Sequence, residues 1–212
     1  LDIAILLYEG VTALDAVGPY EVLHLAPDVQ VRFVAKQPGL IRTDFGMLHL
    51  NADDAIADVP EPDVVLVPGA PDPGGALGDE TVLAWLRHAH ETTLWTTSVC
   101  TGALVLGAAG LLAGLRATTH WMAMDALAPF GAQPTTQRVV RDGKVMTAAG
   151  VSSGIDMALS LVAAQWDQAT AEEIQLIIEY DPEPPFQAGS PDKAPAAIRD
   201  RVIAKYAAAL KA

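Results

Sequence analysis

The chain has 212 residues, of which 51% are hydrophobic, and 26 acidic against 13 basic side chains give a formal net charge of −13. That length and composition suit a single folded domain over residues 1–212 with a full hydrophobic core, and the acidic balance argues against nucleic acid and against anionic membrane surfaces as partners. The lone cysteine, Cys100, excludes an internal disulfide framework and a cysteine-rich zinc site, and it fits a reducing, cytoplasmic compartment.

The N-terminal stretch LDIAILLYEG has no basic leader and no small-residue cleavage site, so residues 3–8 read as a first strand rather than a signal peptide. Residues 17–26 follow as a short helix and residues 29–35 as a second strand. GLIRTDFGMLHLN suggests a small hairpin, and PDVVLVPGA, residues 62–70, a buried strand ending in a glycine turn. Residues 79–91 form an amphipathic helix with Asp79 as N-cap. Residues 94–99 make the next strand, and a helix runs on from Thr101. The apolar stretch 102–115 is too short to span a bilayer. RVVRDGKVMTAAG reads as a hairpin turning at Asp142-Gly143. Three helical segments close the chain, SSGIDMALSLVAAQW, ATAEEIQLIIEY and AAIRDRVIAKYAAALK, with the proline-rich DPEPPFQAGSPDKAP crossing the surface before the last. Continuous apolar strands between helices predict an α/β fold, a doubly wound and mainly parallel sheet covered on both faces.

Sites in such sheets form outside the carboxyl ends of the strands. Three of these ends carry chemistry: EGVTALDAVGP with Asp15, VPGAPDPGG with Gly69 and Ala70, and SVCTG with Cys100. At a sharp turn into a helix, Cys100 has free backbone N–H groups nearby that favour a thiolate nucleophile. An inert buried cysteine is the plainer alternative for the residue in isolation. Asp15 is either a helix cap or a carboxyl that shares a proton with the sulfur. The Gly69-Ala70 turn offers N–H groups to a developing negative charge, or is a plain turn. His120, in RATTHW, is a second-rank partner for the thiol. The remaining histidines lack metal-ligand spacing, and no glycine-rich phosphate loop precedes a helix, so neither metal nor cofactor is expected. Trp121 and residues 184–186 are candidates for a pocket wall or an interface.

These segments resemble the DJ-1/PfpI superfamily. SVCTGALVLGAAGLLAGLRATTHW, LDAVGPYEVL, VVRDGKVMTAAGVSSGIDMAL and the tail EYDPEPPFQAGSP carry the likeness through nearly the whole chain, most closely to its isocyanide hydratase branch. The resemblance implies a flavodoxin-like three-layer sandwich and a homodimer. It implies Cys100 as nucleophile, Asp15 as the general acid/base hydrogen-bonded to the sulfur, and Thr101 as an orienting residue. It also implies that backbone amides of the Gly69-Ala70 turn face the cysteine. Peptidase-like relatives place a histidine directly after the nucleophile, where this chain has Thr101, so a Cys-His protease site is not expected. Ala148 and Ala149 stand where relatives are richer in glycine, which predicts a stiffer segment there.

The activity implied is hydration of a small isocyanide to an N-substituted formamide through a Cys100 thioimidate, without a cofactor. Beside redox sensing through oxidation of Cys100, which an activated thiol permits alongside catalysis, two rivals remain. One is a ligand-sensing domain of a transcription regulator, whose DNA-binding region this sequence lacks. The other is a glyoxalase or stress-response member of the superfamily, which favours the histidine that Thr101 replaces.

Overall fold

After Asp2 nothing polar occurs in the first strand, β1 (Asp2–Leu6), in which Ile3, Ala4, Ile5 and Leu6 are wholly buried. A strand of that composition sits in the middle of a sheet covered on both faces, and a computed structural model describing residues 1–209 places it there. The chain divides into two compact units, Leu1–Ile178 and Glu179–Ala212.

In the first unit β1 leads through α1 (Ala13–Leu23) to β2 (Gln30–Ala35), then to a hairpin of β3 (Gly39–Arg42) and β4 (His49–Ala52) and to the short β5 (Asp54–Ala55). Next come β6 (Val64–Val67), α2 (Gly74–Leu77), α3 (Glu80–Thr92), β7 (Trp95–Val99) and α4 (Gly102–Ala108). A two-residue pair, β8 (Arg116–Ala117) with β9 (Gln133–Pro134), precedes the hairpin of β10 (Val139–Asp142) and β11 (Val145–Ala148). Two helices, α5 (Ser153–Gln165) and α6 (Gln168–Ile177), finish the unit.

The main sheet runs β10-β11-β7-β6-β1-β2-β5, parallel except for the β10 hairpin edge. Helices α1, α5 and α6 pack together as one layer, and α2, α3 and α4 as the other. This is the α/β three-layer sandwich expected from the alternating pattern. Strand order reverses between β1 and β6, because β2 lies to one side of β1 and β6 to the other. Such a switch point opens a crevice at the strand carboxyl ends.

Gly102 fits α4 against the sheet. A Cβ there would lie 2.0 Å from the Val67 carbonyl oxygen, so only glycine lets the helix begin this close to β6. Asp79 caps α3 by accepting from Thr81 N–H at 2.9 Å.

The structure departs from the sequence reading most at three places. Helix α1 begins at Ala13 rather than at residue 17, with Pro19 inside it, so Asp15 lies in its first turn instead of before it. Helix α4 ends at Ala108, and the rest of the apolar stretch turns at Gly110 and Gly114, both at positive φ. Trp121–Ala126 and Ala128–Phe130 form 3-10 turns that no periodicity announced. Among the described residues no helix is long and apolar enough to cross a membrane.

The second unit contains the proline-rich stretch, which forms neither helix nor strand, and the helix α7 (Ala196–Ala209). Residues 184–186 belong to it.

Candidate active site

Parallel pairing of β1, β6 and β7 brings their carboxyl ends side by side, and with them Asp15, Gly69-Ala70 and Cys100. Immediately after β7, Cys100 takes φ = +57°, a left-handed conformation that costs a non-glycine residue about 1–2 kcal/mol. The surrounding hydrogen bonds hold it there. Its N–H donates to the carbonyls of Ala148 at 3.1 Å and Ala149 at 2.8 Å, and its own carbonyl accepts from Thr119 Oγ1 at 2.7 Å. Ala148 and Ala149 thus clamp the turn through their backbone. Val151, beyond them, is also at positive φ.

The side chain of Cys100 is 5% exposed and Asp15 wholly buried. Asp15 Oδ2 accepts from Gly69 N–H at 2.9 Å, while Oδ1 is buried without a well-aligned partner. The Cys100 thiol also interacts with this carboxyl. Burial pushes Asp15 up to about 7, against the opposing pull of the Gly69 N–H and the thiol, with Asp44 adding a like charge. Burial also pushes the Cys100 thiol up to about 12, helped by the Asp15 charge. Backbone N–H groups of Val151 and Thr101 oppose that rise without overcoming it. The strand-to-helix turn therefore does not by itself yield a thiolate. As pH rises through about 7 the pair passes from two protons to one, and the proton that remains lies on sulfur with the ionised carboxylate beside it as a base.

Thr101 Oγ1 accepts from Ala70 N–H at 2.9 Å and donates to the Ala70 carbonyl at 2.6 Å, tying the two loops together. The Gly69-Ala70 turn does lie against the cysteine: a Cβ on Gly69 would come within 2.8 Å of Cys100 Cβ. In this structure its two N–H groups hold the Asp15 carboxyl and the Thr101 hydroxyl. The N–H groups aimed at the sulfur belong to Val151 and Thr101 instead.

His120 is not brought into a dyad. Its Nδ1 accepts from Met122 N–H at 3.3 Å, its ring packs on Gly150, and burial lowers its pKa. Trp121, the first residue of the 3-10 turn that His120 caps, sits tilted beside it. Among the described residues no cluster of three or more His, Cys, Asp or Glu is placed to hold a metal ion. Thr119 and Val151 were not legible as site residues. Thr119 lies within ATTHW, where the histidine drew attention, and Val151 acts only through its backbone.

A strained cysteine at a strand carboxyl end next to the switch point of a doubly wound sheet, with a buried carboxyl beside it, defines an α/β protein with a thiol-centred site. The chain belongs to the DJ-1/PfpI family, whose pattern residues 2–164 match. It is 46% identical over 211 residues to the isonitrile hydratase of Pseudomonas putida, covering 100% of this chain and 92% of that protein. A crystal structure of a ThiJ/PfpI family protein from Pseudomonas syringae superposes with a TM-score of 0.93 at 42% identity, over 97% of this chain and 86% of that one. A weaker likeness, 34% over 118 residues, joins 55% of this chain to 35% of the HTH-type transcriptional regulator CdhR of Pseudomonas aeruginosa.

Proposed function

We propose that this protein is an isocyanide hydratase, a cofactor-independent, cysteine-dependent hydro-lyase that joins an isocyanide and water into an N-substituted formamide. The observation that carries the reading is the buried pair of Cys100 with Asp15, a carboxyl pushed up to about 7 that gains or loses a proton at neutral pH. The end-to-end similarity to the Pseudomonas putida isonitrile hydratase supports the choice of substrate class.

An isocyanide presents an electrophilic terminal carbon that needs a soft nucleophile and a proton. Asp15, ionised, takes the thiol proton as Cys100 sulfur attacks that carbon, then delivers the proton to the same carbon. The product is a thioimidate with a new C–S and a new C–H bond. Ionised again, Asp15 draws a proton from water while the oxygen adds to the carbon, and passes that proton to nitrogen. Collapse forms C=O, breaks C–S and returns the hydroxyl proton to sulfur, releasing the formamide. The sum is hydration, with no net oxidation or reduction. Thr101, Gly69 and Ala70 hold the two reacting side chains in place. His120 has no step in this scheme.

The acting form in this reading is a cytoplasmic homodimer, supported by the family resemblance and by the lone thiol. A second reading, a ligand-sensing domain of a transcription regulator, draws its support from the partial similarity to the Pseudomonas aeruginosa regulator. One assay separates the two. Purified protein is mixed with an aryl isocyanide and formamide is followed, with Cys100→Ala beside it. Turnover by wild type and none by Cys100→Ala is the expected result. Equal activity in both removes the thioimidate. No turnover by wild type, with a thiol that still titrates, removes the substrate class and leaves the sensor reading.

A further inference from the structure

One peptide group links the general acid/base to a residue that the mechanism does not use. Tyr8, just beyond β1, is buried, and its hydroxyl donates to the Pro68 carbonyl at 2.8 Å. The Pro68 carbonyl and the Gly69 N–H belong to the same peptide plane. That N–H donates to Asp15 Oδ2 at 2.9 Å. The sequence is therefore a continuous relay: phenol O–H to carbonyl oxygen, and through the peptide to the N–H that holds the carboxylate. A hydrogen bond accepted at a carbonyl polarises the amide and strengthens the bond its N–H donates.

We propose that Tyr8 is a positioning residue for Asp15, fixing and polarising the Pro68–Gly69 peptide whose N–H binds the carboxylate. The inference deepens the hydratase reading and rests on its assignment of Asp15 as acid/base. Burial, reinforced by the charges of Asp15, Cys100 and Asp72, keeps the phenol protonated, so it donates throughout the working pH range. The charged or titratable groups that bear on Asp15 are Cys100 from the turn after β7 and Asp44 from the turn of the β3–β4 hairpin. Tyr8 differs from these because it reaches Asp15 through a neutral dipole, without adding charge to the site.

The test is the pH dependence of Cys100 alkylation by iodoacetamide, which reads the Asp15–Cys100 pair whether or not the substrate class is right. Tyr8→Phe deletes only the hydroxyl. Its loss weakens the bond that favours ionised Asp15, so the midpoint of alkylation moves up by about half a pH unit. Turnover of an aryl isocyanide falls about threefold on the acid side and stays within about twofold on the alkaline plateau. Tyr8→3-fluorotyrosine, a stronger donor in the same place, moves the midpoint down, and it serves where Tyr8→Phe does not fold. In an Asp15→Asn background Tyr8→Phe leaves the alkylation profile where it was. An unmoved midpoint in both Tyr8 variants overturns the inference, and so does an equal shift in the Asp15→Asn background. A wild type that alkylates with the expected Tyr8 shift but hydrates no isocyanide upholds the relay while removing the hydratase reading.

Discussion

Thr119 Oγ1 donates a 2.7 Å hydrogen bond to the carbonyl oxygen of Cys100, from a side chain that is itself buried. Together with the N–H of Cys100 on Ala148 and Ala149, this pins both polar groups of a residue held at φ = +57°. Strained backbone persists only where its surroundings over-determine it. Thr119→Val keeps the shape and removes the donor, so it is expected to destabilise the fold by about 1–3 kcal/mol and to lower turnover by loosening the cysteine turn. Thr119→Ser retains the hydroxyl and recovers most of both. Chemical denaturation and steady-state rates on the two variants check this, and full stability in Thr119→Val contradicts it.

Asp15 makes stability depend on pH in a definite direction. Its folded-state value is raised from 3.8 to about 7, so the native protein keeps a proton that the unfolded chain has already lost. Unfolding then releases a proton, and stability falls as pH rises from about 4 to about 7, then levels off. Asp15→Asn carries no charge at either end of this window. Relative to wild type it is expected to gain stability progressively between pH 4 and 8, by at most about 4 kcal/mol, while losing turnover. Denaturant midpoints for both proteins at pH 4.5 and 8 measure the difference. Parallel pH dependence of the two proteins contradicts the burial argument.

Gly69 has no room for a side chain. A Cβ there would sit 2.6 Å from Thr101 N, 2.7 Å from Thr101 Oγ1 and 2.8 Å from Cys100 Cβ. Two of these neighbours are backbone or first side-chain atoms and cannot swing aside. Gly69→Ala is expected to destabilise by about 1–3 kcal/mol and to displace both the N–H that binds Asp15 and the turn that carries the thiol. The alkylation rate of Cys100 at pH 8, compared with wild type under conditions where both are folded, reads that displacement. An unchanged rate rules it out.

Much of this architecture was legible because strand and helix periods differ and the strand ends carry the chemistry. Residues 62–70 and 94–99 were bounded by turn signals, and their parallel pairing follows from the helix between them. The turn at Asp142-Gly143 was legible for the same local reason. Asp15 was placed one element too early because Gly18-Pro19 resembles a helix start, although a proline is accommodated inside α1. The use of Gly69 N–H, Ala70 N–H and Val151 N–H was not legible. Backbone donors carry no side-chain signature, and their partners are decided by loops that meet only in three dimensions. The thiol's behaviour was missed for a similar reason, since the turn favours ionisation while burial, a tertiary property, opposes it.

Thr101 bears on why this site differs from a Cys-His centre. Its side chain is buried, and its hydroxyl is engaged twice by the Ala70 backbone, as acceptor from N–H at 2.9 Å and as donor to the carbonyl at 2.6 Å. Thr101→Val leaves both the Ala70 N–H and carbonyl without these partners in a buried position, a loss of about 2–4 kcal/mol. It also frees the Gly69-Ala70 turn that positions Asp15, so turnover is expected to fall more than substrate affinity. Thr101→Ser restores the two bonds and most of the rate. Thr101→His, which recreates the peptidase-like order, is expected to give neither peptidase activity nor hydratase turnover. The imidazole would occupy the space between the two loops, and the Asp15 interaction that manages the thiol proton would be displaced with them. Peptide cleavage by the Thr101→His protein, or its retention of full hydratase activity, contradicts this account.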